Sequence, residues 1–482
     1  MSAGRQGKRR TCASGGQLVR VALVASASRL AILALMLLAG WLVSEYDDSA
    51  PLPHECPGSE LHDPVVADRW PVADVLEKAL VWDSVHMAHA ARCGYSYENQ
   101  YAFFPLLPWA LRTLTRTLLA PVAPHLGHLA SMALAGLLLS NAAFVAAAVY
   151  LYRLTLLVLG DERHAALAAV LYCINPASVH HSAVYTEGLF GLLSIAGMFY
   201  STRSEGTRVL DVAKAAGLFA LATALRSNGI LNAGFLVYWA AHAACASALR
   251  RPARAALAAA LGLCASAACL APFVWFQMRG HQAFCVHLET TGAPRRAWCA
   301  SALPYIYGWV QKHYWEVGFL RFYRISKIPN ILQGAPSLAL AAWGVRAYVR
   351  HDPGRAASLA LPLPASLRRG LQPLARTTAR LVGGATAAGS SKKDDDTDER
   401  APANAFLESD RAFPFVVQWA AMALLGALVM HVEVSTRFLS TVPPMYWAVA
   451  GASPRLQKRI VAFFLVYAVL GCVLFVNFYP WT

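Results

Sequence analysis

Runs of Ala, Leu and Val long enough to cross a lipid bilayer recur along the chain, and they limit its fold more than any other feature. Approximate apolar spans lie at 18–43, 129–158, 165–180, 186–200, 209–224, 229–249, 255–276, 328–346, 413–431, 438–451 and 460–478. Only 14% of the 482 residues are charged, against about 25% in soluble domains. Backbone inside hydrocarbon must satisfy its own hydrogen bonds, so only helices and closed barrels remain. Continuous apolar runs, not alternating ones, select helices. The expected fold is therefore an all-α polytopic membrane protein with about eleven transmembrane helices. Asn175-Pro176 interrupts the stretch 165–200. Proline breaks or kinks a helix, so two short helices are expected there. Residues 103–120 are apolar but carry Arg112 and Arg116, which fits an interfacial helix.

The net charge of +15 comes from short basic clusters between apolar runs: Lys8-Arg9-Arg10, Arg250-Arg251 with Arg254, Arg368-Arg369, and Arg455 with Lys458-Arg459. This is the positive-inside pattern of cytosolic loops rather than a nucleic-acid footprint. Threading the chain accordingly divides it into a basic cytosolic N-terminus (1–17), a first membrane block (18–346), a cytosolic insertion (347–412) and C-terminal membrane helices (413–482). The first block carries two large non-cytosolic loops, 44–128 and 277–327. The run Lys392-Lys393-Asp394-Asp395-Asp396 among Gly, Ser and Pro reads as a disordered insertion. The first apolar run is too long for a typical signal peptide core and is expected to be a retained anchor.

Four cysteines, Cys56, Cys93, Cys285 and Cys299, fall in the two non-cytosolic loops. Cys285 can pair with Cys299 and Cys56 with Cys93, one of the three pairings that four cysteines allow. No Cys/His spacing matches a structural zinc site.

The threading also collects the unusual polar residues on the non-cytosolic side. Asp83 and His86 lie in the first loop, beside the aromatics of Trp82 and Tyr101–Phe104. Asn175, His180, His181, Tyr185, Thr186 and Glu187 lie in the interrupted turn. Arg226, Ser227 and Asn228 separate two apolar runs, and His431, Glu433 and Arg437 lie in the last such turn. Lys312, His313, Tyr314, Trp315 and Arg321 lie in the second long loop. An arginine beside lipid needs a counter-charge. That partner is an internal acid, Glu187 or Asp83, or the phosphate of a lipid, which the planar guanidinium suits. For His180 and His181, packing within the turn is the stronger reading. Glu187 pairs with Arg226 or contacts substrate. Asp83 is either a solvated loop acid or a functional carboxylate at the membrane edge. One carboxylate with cations and aromatics fits transfer from a phosphate leaving group. The acid would accept the proton of an incoming hydroxyl, and the cations would stabilise the departing phosphate. No P-loop, dinucleotide fingerprint, nucleophile elbow or HExxH motif occurs.

These segments resemble a family. Trp82-Asp83-Ser84-Val85-His86, Gly94-Tyr95-Ser96-Tyr97-Glu98 and Ala102-Phe103-Phe104-Pro105 look like the first lumenal loop of the GPI mannosyltransferase 2 (PIG-V) family. Asn175-Pro176-Ala177-Ser178 with Tyr185-Thr186-Glu187 resembles its next motif, in which Ser often replaces Thr. Further matches are Ala224-Leu225-Arg226-Ser227-Asn228-Gly229, Tyr314-Trp315-Glu316-Val317-Gly318-Phe319-Leu320 with Pro329-Asn330, and His431-Val432 with Thr436-Arg437-Phe438. The resemblance runs in order over most of 76–447. It implies a GT-C-type glycosyltransferase of the endoplasmic reticulum membrane, multi-pass, with its active site in the lumenal loops. The donor would be dolichyl-phosphate mannose and the acceptor a mannosylated glucosaminyl-phosphatidylinositol lipid. The product would carry the second mannose in α1,6 linkage. A β-linked donor and α product mean inversion, which needs a base but no covalent nucleophile. Asp83 maps to the base position. His86, Glu187, Arg226, Asn228, His431 and Arg437 are the expected substrate-binding residues. No metal and no cofactor besides the donor are expected, and no nucleic acid. A small membrane subunit as a further partner is left open. Rival readings are another polyprenyl-phosphate-sugar transferase, and a non-enzymatic lipid transporter or scramblase, though no internal repeat supports the latter.

Overall fold

The computed structural model describes residues 14–46, 56, 68–286, 296–301, 305–383 and 404–481. Among these residues every regular element is helical and no strand occurs. Among the described residues, six helices are long and apolar enough to cross a membrane: Gly15–Leu42, His128–Leu159, Ser227–Ser247, Pro252–Val286, Asp410–Leu428 and Pro454–Val476. Large apolar side chains stand exposed on them, among them Leu23, Leu30, Leu263, Leu424 and Val466. In water such a surface would aggregate; in lipid it is the expected outer face. The chain is thus a polytopic membrane protein. The other expected spans coincide with helices that lack that length or apolarity, such as Glu162–Cys173, Glu187–Ser204, Val209–Leu225 and Ile328–His351.

Small residues set how closely the helices approach. Helix Glu187–Ser204 packs along His128–Leu159. A Cβ on Gly188 would fall 2.5 Å from the Ser140 carbonyl, so only glycine permits that contact. Gly334 plays the same part for the last polar turn: a Cβ there would lie 2.1 Å from the Val432 carbonyl.

The interruption at Asn175-Pro176 yields three pieces instead of the expected two. Glu162–Cys173 is followed by a single turn, Ser178–Ser182, and then by Glu187–Ser204. Asn175 replaces the lost helix bonds, its Nδ2 donating to the Tyr172 carbonyl (2.9 Å) and its Oδ1 accepting from the Ala177 N–H (2.9 Å). Arg29, inside the first apolar helix, ties this turn down. Its guanidinium donates to the carbonyls of Ser178 (2.9 Å) and Cys173 (3.2 Å) and to Ser182 Oγ (3.0 Å), and stacks over the Phe144 ring.

Helix Leu106–Arg116 occupies the expected interfacial stretch. Its Arg112 donates to the carbonyls of Ala91 (2.6 Å) and Arg92 (3.2 Å), capping the end of helix Asp83–Cys93. The loop disulfides are Cys56–Cys93 and Cys285–Cys299, one of the two pairs closing the first loop and the other the second. The segment 347–412 differs from the expected disordered insertion as far as it is described. It carries helices Pro353–Ala357, Ala365–Gly370, Gln372–Val382 and Ala405–Glu408. Buried Arg355 anchors it, donating to the carbonyls of Leu407 and Glu408 and pairing with Asp410 (2.7 Å). The Lys392–Asp396 run and the basic cluster at residues 8–10 lie outside the described residues.

Candidate active site

Six chain segments line one cavity of about 400 Å³, and four of them bring together a charged cluster. The first is the start of helix Asp83–Cys93. Trp82, just before it, has φ 55°, a left-handed conformation costly for a side chain of that size. Two contacts hold it there: the indole N–H donates to the Phe475 carbonyl (3.1 Å), and the ring packs on Phe478. The helix therefore starts at Asp83, whose backbone N–H donates to Tyr185 Oη (3.0 Å). The carboxylate sits at the positive end of the helix dipole with its side chain 39% exposed, at the cavity margin.

The second and third segments supply Glu187 and Arg226. Glu187 opens helix Glu187–Ser204 and its side chain is wholly buried. Arg226 ends helix Val209–Leu225, and its Nη1 donates to Glu187 Oε1 and to Thr186 Oγ1 (3.2 Å). The fourth segment is the turn after residue 430. Arg437 donates through Nε to the same Glu187 oxygen (2.7 Å) and through Nη1 to Asp83 Oδ2 (3.4 Å). Its guanidinium also lies 4.9 Å from the centre of the Tyr185 ring. Two arginines and two carboxylates thus balance in charge. The expected internal pairing of both arginines occurs, and both also line the cavity. The Arg226 guanidinium also lies 4.8 Å from the centre of the Phe438 ring, which lines the same cavity.

His431 and Asn228 line the same cavity. His431 Nε2–H donates to the Trp315 carbonyl (2.7 Å), and Nδ1 lies 3.8 Å from Glu433. Asn228 Oδ1 is buried without a partner. His86 is not part of this group. It stacks on Phe103 (5.1 Å between ring centres) and faces a neighbouring cavity. Burial pushes the His86 imidazole below its ordinary pKa, with Asp83 opposing the shift, so the ring favours its neutral form. His180 and His181 pack inside the turn, His180 against Tyr185 and Phe475, His181 on Ser440 Oγ (3.0 Å). Lys312 and His313 point outward, and neither they nor Arg321 lines the cavity.

Two residues outside the expected set belong here. Tyr185 orients the Asp83 backbone. Glu433 lines the cavity with Oε2 buried and unpartnered, and burial raises its pKa. Its sequence signal was its place beside His431.

A family model described as "Mannosyltransferase (PIG-V)" matches residues 18–482. The chain belongs to the PIG-V mannosyltransferase family. It is therefore a glycosyltransferase, and the transporter or scramblase reading falls away. This mannosyltransferase is 33% identical to GPI alpha-1,6-mannosyltransferase 2 of Mus musculus over 83% of the chain and 87% of that protein. It is 32% identical to the Homo sapiens protein of that name, over the same shares. It is 26% identical to GPI mannosyltransferase 2 of Drosophila melanogaster, over 96% of the chain and 99% of that protein. No solved structure matches.

Proposed function

We propose that this mannosyltransferase moves mannose from dolichyl-phosphate mannose to a mannosylated glucosaminyl-phosphatidylinositol lipid, adding the second mannose in α1,6 linkage. The observation that carries the reading is the shared anchoring of Asp83, Arg226 and Arg437 around Glu187 at one cavity, in a chain similar to proteins named for this activity. In this reading Arg437 fixes the Asp83 carboxylate, which removes the proton of the acceptor hydroxyl. The hydroxyl oxygen forms a bond to the anomeric carbon from the face opposite the phosphate. The bond from that carbon to the phosphate oxygen breaks, its electron pair leaves with dolichyl phosphate, and the configuration inverts from β to α. Arg226 and Arg437 stabilise the charge gathering on the phosphate. His431, Asn228 and Glu433 hold sugar hydroxyls. The donor carries a single phosphate on lipid, and in this reading the arginine donors address it without a metal.

The reading includes a GT-C fold, residence in the endoplasmic reticulum membrane and a lumenal site. Asp83→Asn is expected to lower transfer by roughly 10²–10⁴-fold while expression and membrane insertion stay normal; near-wild-type turnover would remove Asp83 from the base role. Cells lacking the protein should accumulate a one-mannose GPI precursor. Normal GPI precursors with altered N-glycans would instead favour another polyprenyl-phosphate-sugar transferase.

A further inference from the structure

A second, larger cavity of about 660 Å³ adjoins the catalytic one, and Trp82 lines both. Asp83 faces the catalytic cavity, whereas His86 and His89, one and two turns further along the same helix, face the second. The two cavities differ in chemistry. The catalytic one carries the paired arginines. The second is lined by His89, Tyr97, Glu98, Asn99, Arg296 and Tyr314.

The hydrogen bonds around His89 fix its tautomer. Gln100 Oε1 accepts from the backbone N–H groups of Ser96 (2.9 Å) and Tyr97 (3.1 Å), so its amide nitrogen is the free donor. That nitrogen lies 2.7 Å from His89 Nδ1, which must accept. The remaining proton sits on Nε2. Yet Nε2 is buried without any acceptor, on a side chain only 5% exposed. A buried N–H with no partner is rare in a native protein and calls for one.

Glu98 is held equally firmly. The indole N–H groups of Trp298 and Trp309 and the hydroxyl of Tyr314 all donate to its carboxylate. Cys93 and Cys299, one from each disulfide, lie in the flanking segments, so the cavity wall is built and braced. Tyr46, Tyr97 and Tyr314 line it with large exposed ring faces. Rigid aromatic faces beside a few fixed polar groups are what a carbohydrate needs, C–H faces against rings and hydroxyls against donors and acceptors.

We propose that this second cavity binds the glycan of the acceptor lipid, with the His89 Nε2–H donating to a sugar hydroxyl. The proposal rests on the mannosyl-transfer reading and assigns its two substrates to opposite sides of Trp82. Six residues of helix from Asp83 to His89 span about 9 Å, so a short glycan held by His89 reaches the base with its attacking hydroxyl. The donor phosphate then stays on the arginine side.

The test is the kinetics of the full-length protein with dolichyl-phosphate mannose and a one-mannose glucosaminyl-phosphatidylinositol acceptor. His89→Ala should raise the acceptor KM roughly three- to tenfold, as the loss of one neutral hydrogen bond does, and leave the donor KM at the wild-type value. His89→Gln, which restores an N–H near the same point, should recover part of the loss. Tyr97→Ala removes a half-exposed ring that packs beside His89 at the cavity wall and should raise the acceptor KM in the same way. An unchanged acceptor KM in both His89→Ala and Tyr97→Ala, or a rise in the donor KM instead, overturns the proposal. If the wild type transfers no mannose, the mannosyl-transfer reading falls by itself. The cavity is then judged by titrating the protein with the water-soluble mannosyl-glucosaminyl-inositol glycan and following tryptophan fluorescence. Saturable quenching lost in His89→Ala upholds the site, and its absence in the wild type overturns it.

Discussion

Two groups of buried arginine flank the interrupted segment 174–187, and they are resolved by opposite means. Arg29 enters from the first membrane helix and finds only neutral acceptors, the carbonyls of Cys173 and Ser178 and the hydroxyl of Ser182. Among the described residues no carboxylate pairs with it, and it lines neither the catalytic cavity nor its neighbour. Arg226 and Arg437 meet a fully buried carboxylate, Glu187, and both open onto the catalytic cavity. Carbonyls and hydroxyls spread over the two terminal nitrogens of a guanidinium lock the backbone they belong to. A shared carboxylate neutralises charge while leaving edge donors toward the open side. Burial alone therefore does not separate the two kinds of arginine; their partner type and the adjoining cavity do.

Removing Glu187 should break this contrast most forcefully. Glu187→Ala strands two buried guanidinium groups, and losing one member of a buried ion pair costs about 3–5 kcal/mol. Both the thermal midpoint in detergent and mannose transfer should collapse. A variant that kept its midpoint would show that Glu187 is no hub. Arg29→Met should separate the two regions. Each carbonyl left unpaired costs about 1–3 kcal/mol, so the midpoint should fall while the donor and acceptor KM of the surviving protein stay at wild-type values. A shift in either KM would place Arg29 in the catalytic region after all.

The difference between these regions explains what the sequence made legible. The apolar runs and their breaks made an all-helical polytopic membrane protein legible, because lipid leaves the backbone so few choices. The polar residues between runs gave Asp83, Glu187, Arg226 and Arg437, since an ionised group at the edge of an apolar run is costly without a partner. That Arg226 and Arg437 share one oxygen of Glu187 was hidden, because Glu187 and Arg437 lie 250 positions apart in the chain. Arg29 was hidden for another reason: it sits within an otherwise apolar run and disturbs its hydropathy little. The helices of 353–382 escaped notice because their anchor, Arg355, bonds to carbonyls rather than to a readable motif. His86 was expected among the substrate-binding residues because it shares a motif with Asp83. One turn of helix carries its ring past Phe103 into the second cavity instead.

Arg226→Lys sharpens the contrast more gently. The ammonium keeps the charge beside Glu187 but loses the planar fork that addresses a phosphate. The donor KM should rise roughly tenfold, within the range for a lost charge-assisted hydrogen bond, with a smaller change in stability than Glu187→Ala causes. An unchanged donor KM would return Arg226 to the purely structural class that Arg29 occupies. Chelation provides a parallel check: if Arg226 and Arg437 meet the donor phosphate as proposed, an excess of EDTA should leave transfer intact. Loss of activity restored by added metal would overturn that division of labour.

The smallest effect concerns acid. Arg29 is held by carbonyls and hydroxyls that do not titrate in the physiological range, whereas the helix that carries Asp83 also carries His86 and His89. Burial lowers the pKa of both imidazoles, with Asp83 opposing the shift at His86 and Arg92 adding to it at His89. A histidine whose pKa is lower folded than unfolded contributes stability above about pH 6.5, its unfolded value, and loses it as the pH falls through the folded value. The thermal midpoint should therefore decline from neutral pH toward pH values below the ordinary histidine pKa. His86→Phe keeps a ring against Phe103 without a proton to bind, so its decline should be shallower. If the two proteins lose stability in parallel, the acid-sensitive groups lie away from the Asp83 helix, and the active region is as indifferent to protons as the knot around Arg29.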